Sequence, residues 1–275
     1  MSNAASDYLS NGLYFREWTQ ISGDARGVVL IAHGLAEHCG RYAHVADALT
    51  TAGFAVFAVD HFGHGQSPGE RGEINTFDDY LDGMDVLFDH ARTQYPDRQV
   101  VMLGHSMGGL IAGRSVQRHP QRYQALVLSG PAVLPVDPPP KWQEGLVRLL
   151  SKWLPSAGVI ALDGEAISRD PDVVKRYFDD PLVWNSKIPA RLAAEIFDGM
   201  QALRDHANEI QIPTLIMHGT ADRLTAPEGS VWLHEHIGAI DKTLMHGQDA
   251  FHELFNEPDQ ETYITAMIDW LLARQ

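Results

Sequence analysis

The chain has 275 residues, enough for one large α/β domain or a domain that carries an insertion. Its 36 acidic against 21 basic residues give a net charge of −15 with histidine neutral, which disfavours nucleic acid and strongly anionic surfaces and fits a neutral substrate better than an acidic one. Cys39 is the only cysteine, so internal disulfides and cysteine-rich zinc sites are excluded, and no apolar run is long enough to span a bilayer.

The opening stretch MSNAASDYLSNG has neither the basic start nor the apolar core of a secretory signal, so a cytoplasmic location is expected, and residues 1–6 are left out of the expected fold. Leu13 to Trp18 reads as an early strand. Val28 to His33 is a continuous apolar run, the mark of a strand covered on both faces. A helical pattern follows from Arg41 to Ala52, and Phe54 to Asp60 is the next buried strand. Thr76 to Tyr95 reads as a helix, with Thr76 as N-cap and Pro96 as stop. Val100 to Leu103, a helix to His119 and a strand at Ala125 to Ser129 continue the alternation. From Pro131 the rhythm breaks, and no clear strand returns until Thr214 to Gly219, after roughly eighty residues. A helix near Ala226 to His236, a strand at Lys242 to Met245 and a helix from Pro258 to Ala273 close the chain. Strands alternating with helices predict a mostly parallel sheet wound on both faces. The segment between Pro131 and Ile212 reads as a helical insertion above it.

Chemistry enters at Val100 to Gly109, VVMLGHSMGG. A short β-branched run stops at Gly104, and an apolar helix pattern opens at Leu110. Between them Gly104 and Gly108 flank Ser106, the G-x-S-x-G pattern of a nucleophile elbow. A serine hydroxyl is a weak nucleophile near neutral pH, so it needs an adjacent base, and the base needs a group to orient it. With the chain order serine, acid, histidine, the acid should follow a late strand, and Asp222 in TLIMHGTADRL does so. The plainer reading of Asp222 is a turn aspartate capping the next helix. The base must lie beyond it. His234 and His236 fall within an expected helix, and His246 ends the last strand. His252 lies in a loop from which a side chain can reach over the sheet edge, so His252 is the choice and His246 the alternative. Oxyanion donors are expected from the backbone N–H of Met107, after the nucleophile, and of Leu35, in the loop after an earlier strand where Gly34 leaves the backbone free to bend.

HGLAEHCGRY, DHFGHGQSPGERG, GHSMGG and HGTADRL, followed by the His252 loop, together resemble the monoacylglycerol lipases of the α/β-hydrolase superfamily, from about Gly27 to the C-terminus. The resemblance implies an α/β-hydrolase fold: a mostly parallel eight-stranded sheet with helices on both faces, built from residues 7–130 and 213–275, and an inserted helical cap at 131–212. It implies hydrolysis of a monoacylglycerol to fatty acid and glycerol through an acyl-enzyme, without cofactor or metal. It also implies an apolar acyl tunnel and a small polar glycerol pocket, to which Glu37, Arg41 and Tyr177 would contribute. A structural ion pair between Glu37 and Arg41 is the alternative. Phe255 departs from relatives that carry a second polar residue one turn after the histidine. DHFGHGQSPGERG has a mainly structural reading, a compact glycine turn whose backbone Asp60 and Ser67 satisfy, and His64 is not taken as catalytic.

The inserted segment carries one strong pattern. At 100° per residue, Trp142, Leu146, Val147, Leu149, Leu150, Trp153 and Leu154 fall within an arc of roughly 160°. Such a face either packs within the segment, lines the acyl tunnel or meets a lipid surface. Lysophospholipase or carboxylesterase activity, and a catalytically inactive scaffold on the same fold, are the competing functions. Aspartate-dependent epoxide or haloalkane hydrolysis is disfavoured by Ser106 at the elbow.

Overall fold

A computed structural model of the chain describes residues 4–137 and 140–275. The continuous apolar runs form the wholly buried strands β3 (Gly27–Ala32), β4 (Phe54–Val59), β5 (Val100–His105), β6 (Ala125–Ser129) and β9 (Thr214–Gly219). With β1 (Ala5–Tyr8), β2 (Tyr14–Trp18) and β10 (Lys242–Gly247) they make one eight-stranded sheet in the order β1-β2-β4-β3-β5-β6-β9-β10. Only the β1–β2 and β2–β4 pairs are antiparallel.

The period of two in each strand divides the apolar residues between two cores. In β4, Ala55, Phe57 and Val59 join α2 (Asp78–Gln94), α3 (Met107–Arg118) and α7 (Pro227–His236) on one face. Phe54, Val56 and Ala58 join α1 (Ala43–Thr51) and α8 (Gln260–Leu272) on the other. The chain leaves β3 for its neighbour β4 on one side and returns to place β5 on the other. That reversal opens a crevice at the carboxyl ends of β3 and β5, the place where open α/β sheets bind ligands.

Between β6 and β9 lie α4 (Lys141–Trp153), β7 (Gly158–Ile160), α5 (Pro171–Asp179), β8 (Ile188–Pro189) and α6 (Ala190–Asp205). Helix α6 lies close on α3: a Cβ added at Gly113 would stand 2.8 Å from Leu203.

Three details differ from the sequence expectation, and a fourth bears on an alternative left open there. Residues 5–6, left out of the expected fold, begin β1, which pairs with β2 although all four of its residues are exposed. The inserted segment contains a small β7–β8 ladder besides its helices. Thr76 does not cap α2; the Asp79 carboxylate reaches back to accept the N–H groups of Asn75 and Thr76 at 2.7 and 3.3 Å. The apolar face of α4 is only partly covered, with Val147 packed on the main core and Leu150 half-buried, and it does not line the central cavity. Trp142 and Trp153 are 68 % and 70 % exposed, whereas Ser151 is buried.

Candidate active site

Ser106 sits at the hinge between β5 and α3 with φ 55° and ψ −120°, a conformation that a non-glycine residue holds only when its surroundings enforce it. The surroundings do so through its backbone. Its N–H donates to Ser129 O, and its carbonyl accepts from Gly109, Leu110 and Ala132. The flanking glycines are required by space. A Cβ at Gly104 would lie 2.2 Å from Gly108 O, and one at Gly108 would lie 2.0 Å from Ala32 O.

The loop after β3 packs against this elbow. A Cβ at Gly34 would stand 3.3 Å from Ser106 Cβ and 2.8 Å from the Glu37 carboxylate, so glycine there permits close approach. The bend expected at Gly34 falls instead on Ala36, at φ 65°, whose carbonyl is held by the N–H of Trp184. Both Leu35 and Met107 line the cavity in front of Ser106, and neither backbone N–H donates to any described residue. Two amide donors therefore remain free beside the hydroxyl.

Asp222, three residues beyond the carboxyl end of β9, lies 2.6 Å through Oδ2 from His252 Nδ1. The same carboxylate accepts the N–H groups of Leu224 and Thr225 and the Thr225 hydroxyl, and His218 Nε2 lies 3.0 Å from it. It thus carries the turn role as well as the histidine contact. Burial pushes the Asp222 pKa up, but His252 and the hydrogen bonds from His218 and His252 outweigh it and hold the carboxyl far below its usual range. Burial pushes His252 down, and the facing Asp222 more than reverses this, so its pKa lies above the ordinary 6.5. The hydrogen bonds of the His252 ring are on Nδ1, which leaves Nε2 for the cavity that Ser106 also lines. The Ser106 hydroxyl makes no side-chain cap bond to α3. His246, the alternative base, is exposed on β10, and His234 and His236 lie on α7.

Glu37, Arg41 and Tyr177 come together, with a partner that the sequence reading missed. Arg41 Nη1 lies 2.6 Å from Glu37, and its two terminal nitrogens hold Glu253 at 2.7 Å each. Glu37 also accepts the Gly34 N–H at 2.6 Å and the Tyr42 hydroxyl at 2.7 Å. Tyr177 stacks its ring 4.9 Å from the Arg41 guanidinium. Glu253 directly follows His252, so this ion triad ties the loop after β3 to the loop that carries the imidazole. Burial pushes Glu253 up, but Arg41 outweighs it and holds its carboxyl below the usual range. The only hint in the sequence is an acidic residue adjoining the chosen histidine. Glu37, Tyr177 and Glu253 line the cavity, whereas Arg41 stands behind them and faces a second, polar cavity.

The cavity in front of Ser106 has a volume of about 180 Å³ and a lining of two unlike kinds. Ile160, Ile188, Ile196, Phe197 and Met200 supply apolar lining, Glu37, Glu253 and Tyr177 supply polar lining, and Ile167 packs against Tyr177. His105, next to Ser106, donates through Nδ1 to Ser129 O, and burial beside His252 pushes its pKa down to about 4. Cys39 is fully buried, and burial next to Asp60 pushes its thiol up, which suits a packed side chain rather than a reactive one.

An eight-stranded, mostly parallel sheet with a serine on a strained strand-to-helix turn and an Asp–His pair from later loops defines an α/β-hydrolase. The family model described as serine aminopeptidase, S33, matches residues 23–259. A monoacylglycerol lipase of Mycolicibacterium smegmatis is 38 % identical over 256 residues, covering 93 % of this chain and 91 % of the relative. The Homo sapiens monoglyceride lipase is 30 % identical over 261 residues, covering 94 % and 84 %. The crystal structure of Paleococcus ferrophilus monoacylglycerol lipase superposes with a TM-score of 0.86 at 35 % identity, covering 96 % of this chain and 99 % of the other. The chain belongs to this family of α/β-hydrolases and, within it, to the monoacylglycerol lipases. Among the described residues no helix is long and apolar enough to cross a membrane.

Proposed function

We propose that this chain is a serine hydrolase that cleaves monoacylglycerols to fatty acid and glycerol, with Ser106, His252 and Asp222 as its triad. The observation that carries the reading is one cavity lined by a nucleophile, two free amides, apolar side chains and the buried polar group of Glu37, Glu253 and Tyr177. Ser106 attacks the ester carbonyl while His252 Nε2 takes its proton, and the hydrogen bond between them forms as substrate closes the site. The N–H groups of Leu35 and Met107 hold the oxyanion, aided by the positive end of α3. His252 returns the proton to the leaving glycerol oxygen, and water then repeats the sequence on the acyl-enzyme. Asp222 keeps the proton on Nδ1 and steadies the imidazolium.

The polar lining receives glycerol. A carboxylate offers about four acceptor positions. Glu37 spends three on Gly34, Tyr42 and Arg41, and Glu253 spends three on Arg41 and Asn256. Each keeps one acceptor for a substrate hydroxyl, and the Tyr177 hydroxyl adds a donor. Arg41 serves by holding both carboxylates in place. Residues 131–212 act as a cap, and the exposed face of α4, with Trp142 and Trp153, meets the lipid surface that supplies substrate. A cytoplasmic setting suits the single buried Cys39.

Hydrolysis of a panel tests the reading: 1- and 2-monoacylglycerols of several lengths, a diacylglycerol, lysophosphatidylcholine and simple esters. Preference for the monoacylglycerols, with fluorophosphonate labelling lost in Ser106→Ala, supports it. Preference for lysophosphatidylcholine assigns a lysophospholipase, and absence of labelling in the folded wild-type chain assigns a scaffold.

A further inference from the structure

The stretch DHFGHG supplies no triad residue, yet its main chain bonds the residue that opens the oxyanion loop. His33, fully buried at the end of β3, has its Nδ1 2.7 Å from the carbonyl oxygen of Gly34. Its Nε2 lies 3.0 Å from the backbone nitrogen of His61. A backbone N–H can only donate, so Nε2 must be unprotonated, and in the neutral ring the proton is then on Nδ1 and goes to Gly34 O. The tautomer of His33 is therefore dictated by the main chain of the neighbouring loop.

This bond has a consequence on the far side of one peptide unit. The unit that joins Gly34 to Leu35 is planar and trans, so its C=O and N–H point in opposite directions. Fixing Gly34 O fixes the direction of the Leu35 N–H, which donates to no described residue and stands at the cavity beside Ser106. The preceding unit is held independently, by the Gly34 N–H on Glu37. The loop's other end is held by Asp60, whose carboxylate accepts the Cys39 N–H at 2.8 Å.

We infer that His33 is the positioning residue of the oxyanion hole: its Nδ1–H, set by the His61 main chain, aims the Leu35 N–H at the substrate oxyanion. The inference rests on the assignment of Leu35 as an oxyanion donor made above. It gives the HFGHG turn a task, since that turn supplies the donor that fixes the tautomer. His33 does not line the cavity and acts through the peptide.

The test uses the full chain with p-nitrophenyl butyrate, a soluble ester that does not depend on the lipid-facing helix. Wild-type turnover, lost in Ser106→Ala, first establishes the serine hydrolase itself; if that fails, the proposed function fails irrespective of His33. Given that activity, His33→Ala should lower kcat about 30-fold or more with KM within about twofold, since loss of one oxyanion donor costs about 10²–10³ in kcat. Affinity for an alkylboronic acid, which forms a tetrahedral adduct on Ser106, should fall by a similar factor. His33→Asn, whose amide N–H takes the place of Nδ1–H, should restore most of both. A kcat close to wild type in His33→Ala, or a kcat loss without the loss of boronate affinity, overturns the inference. A measurement independent of folding in the variants is the nitrogen NMR spectrum of histidine-labelled wild-type chain at neutral pH. A protonated Nδ1 and bare Nε2 on His33 support the inference, and the reverse tautomer overturns it.

Discussion

At the scale of single residues, the Asp222–His252 pair joins two opposed effects of burial. Desolvation disfavours charge on either partner, yet each holds the other's charged form, because they lie 2.6 Å apart in a site almost closed to water. The base works only when neutral, and its pKa lies above 6.5. The rising limb of kcat/KM against pH should therefore have its midpoint above 6.5, because that limb reports the base in the free enzyme. In Asp222→Asn the opposing charge is gone and burial is left, so the limb should move to lower pH. The same change leaves the imidazole in the wrong tautomer, and kcat should fall by about 10³–10⁴. A pH series with p-nitrophenyl butyrate measures both. A limb that does not move would show that Asp222 does not face the catalytic base.

At the scale of elements, the loops after β3, β5, β9 and β10 are separate pieces that must keep a fixed mutual geometry, and Arg41 is what crosses between two of them. Its bidentate grip on Glu253 and single bond to Glu37 are buried, so removing the guanidinium leaves two carboxylates without their counter-charge. Arg41→Met should destabilise the fold by about 3–5 kcal/mol in a denaturant titration, and adding Glu253→Gln should recover part of that loss. Helix α4 poses a different question, since Trp142, Leu146, Leu149 and Trp153 on its apolar face are exposed. Trp142→Ser with Trp153→Ser should reduce turnover of long-chain monoacylglycerol in micelles several-fold and leave p-nitrophenyl butyrate unchanged; equal effects on both would remove the lipid-docking role. These elements also show what the sequence could and could not disclose. Strands β4, β5, β6 and β9 were readable because burial on two faces writes an unbroken apolar run. The elbow was readable because its glycines are sterically obligatory. The four exposed residues of β1 write no such pattern. The stripe on α4 was evident, but a helical period says only that one face is apolar and nothing of what covers it. The Arg41–Glu253 bond joins residues 212 positions apart through two irregular loops, so no local spacing announces it.

At the scale of the whole molecule, the strongest demand on the fold comes from histidines buried without charge. His61 and His64 pack with His33 and Tyr80 beneath the oxyanion loop, with ring centroids 4.2 Å apart for His33–His61 and 5.4 Å for His61–Tyr80. Burial, with His64 adding to it, pushes the pKa of His61 down to about 3, and burial pushes that of His64 down to about 4; His105 also lies at about 4. In the unfolded chain each returns to about 6.5, so the unfolded state binds more protons as the pH falls below that value. Stability from these groups is complete above pH 6.5 and drains away as the pH drops toward 4. At pH 5 the loss is about 2 kcal/mol for each such histidine, a large share of the total stability of an ordinary domain. His252 has the opposite sign, because its raised pKa gives stability that is present at low pH and is lost as the pH rises through it. Asp222 and Glu253 weaken the fold in acid as the three histidines do, in a lower window, since their folded pKa values lie beneath the ordinary carboxylate range. The thermal midpoint should therefore fall steeply between pH 6.5 and 4.5 and stay comparatively flat from 6.5 to 8. His64→Gln, which cannot take a proton, should make the acid slope shallower by about one proton's worth. A variant slope equal to that of wild type would place the acid sensitivity elsewhere, in the paired carboxylates rather than in the histidine cluster under the active-site loop.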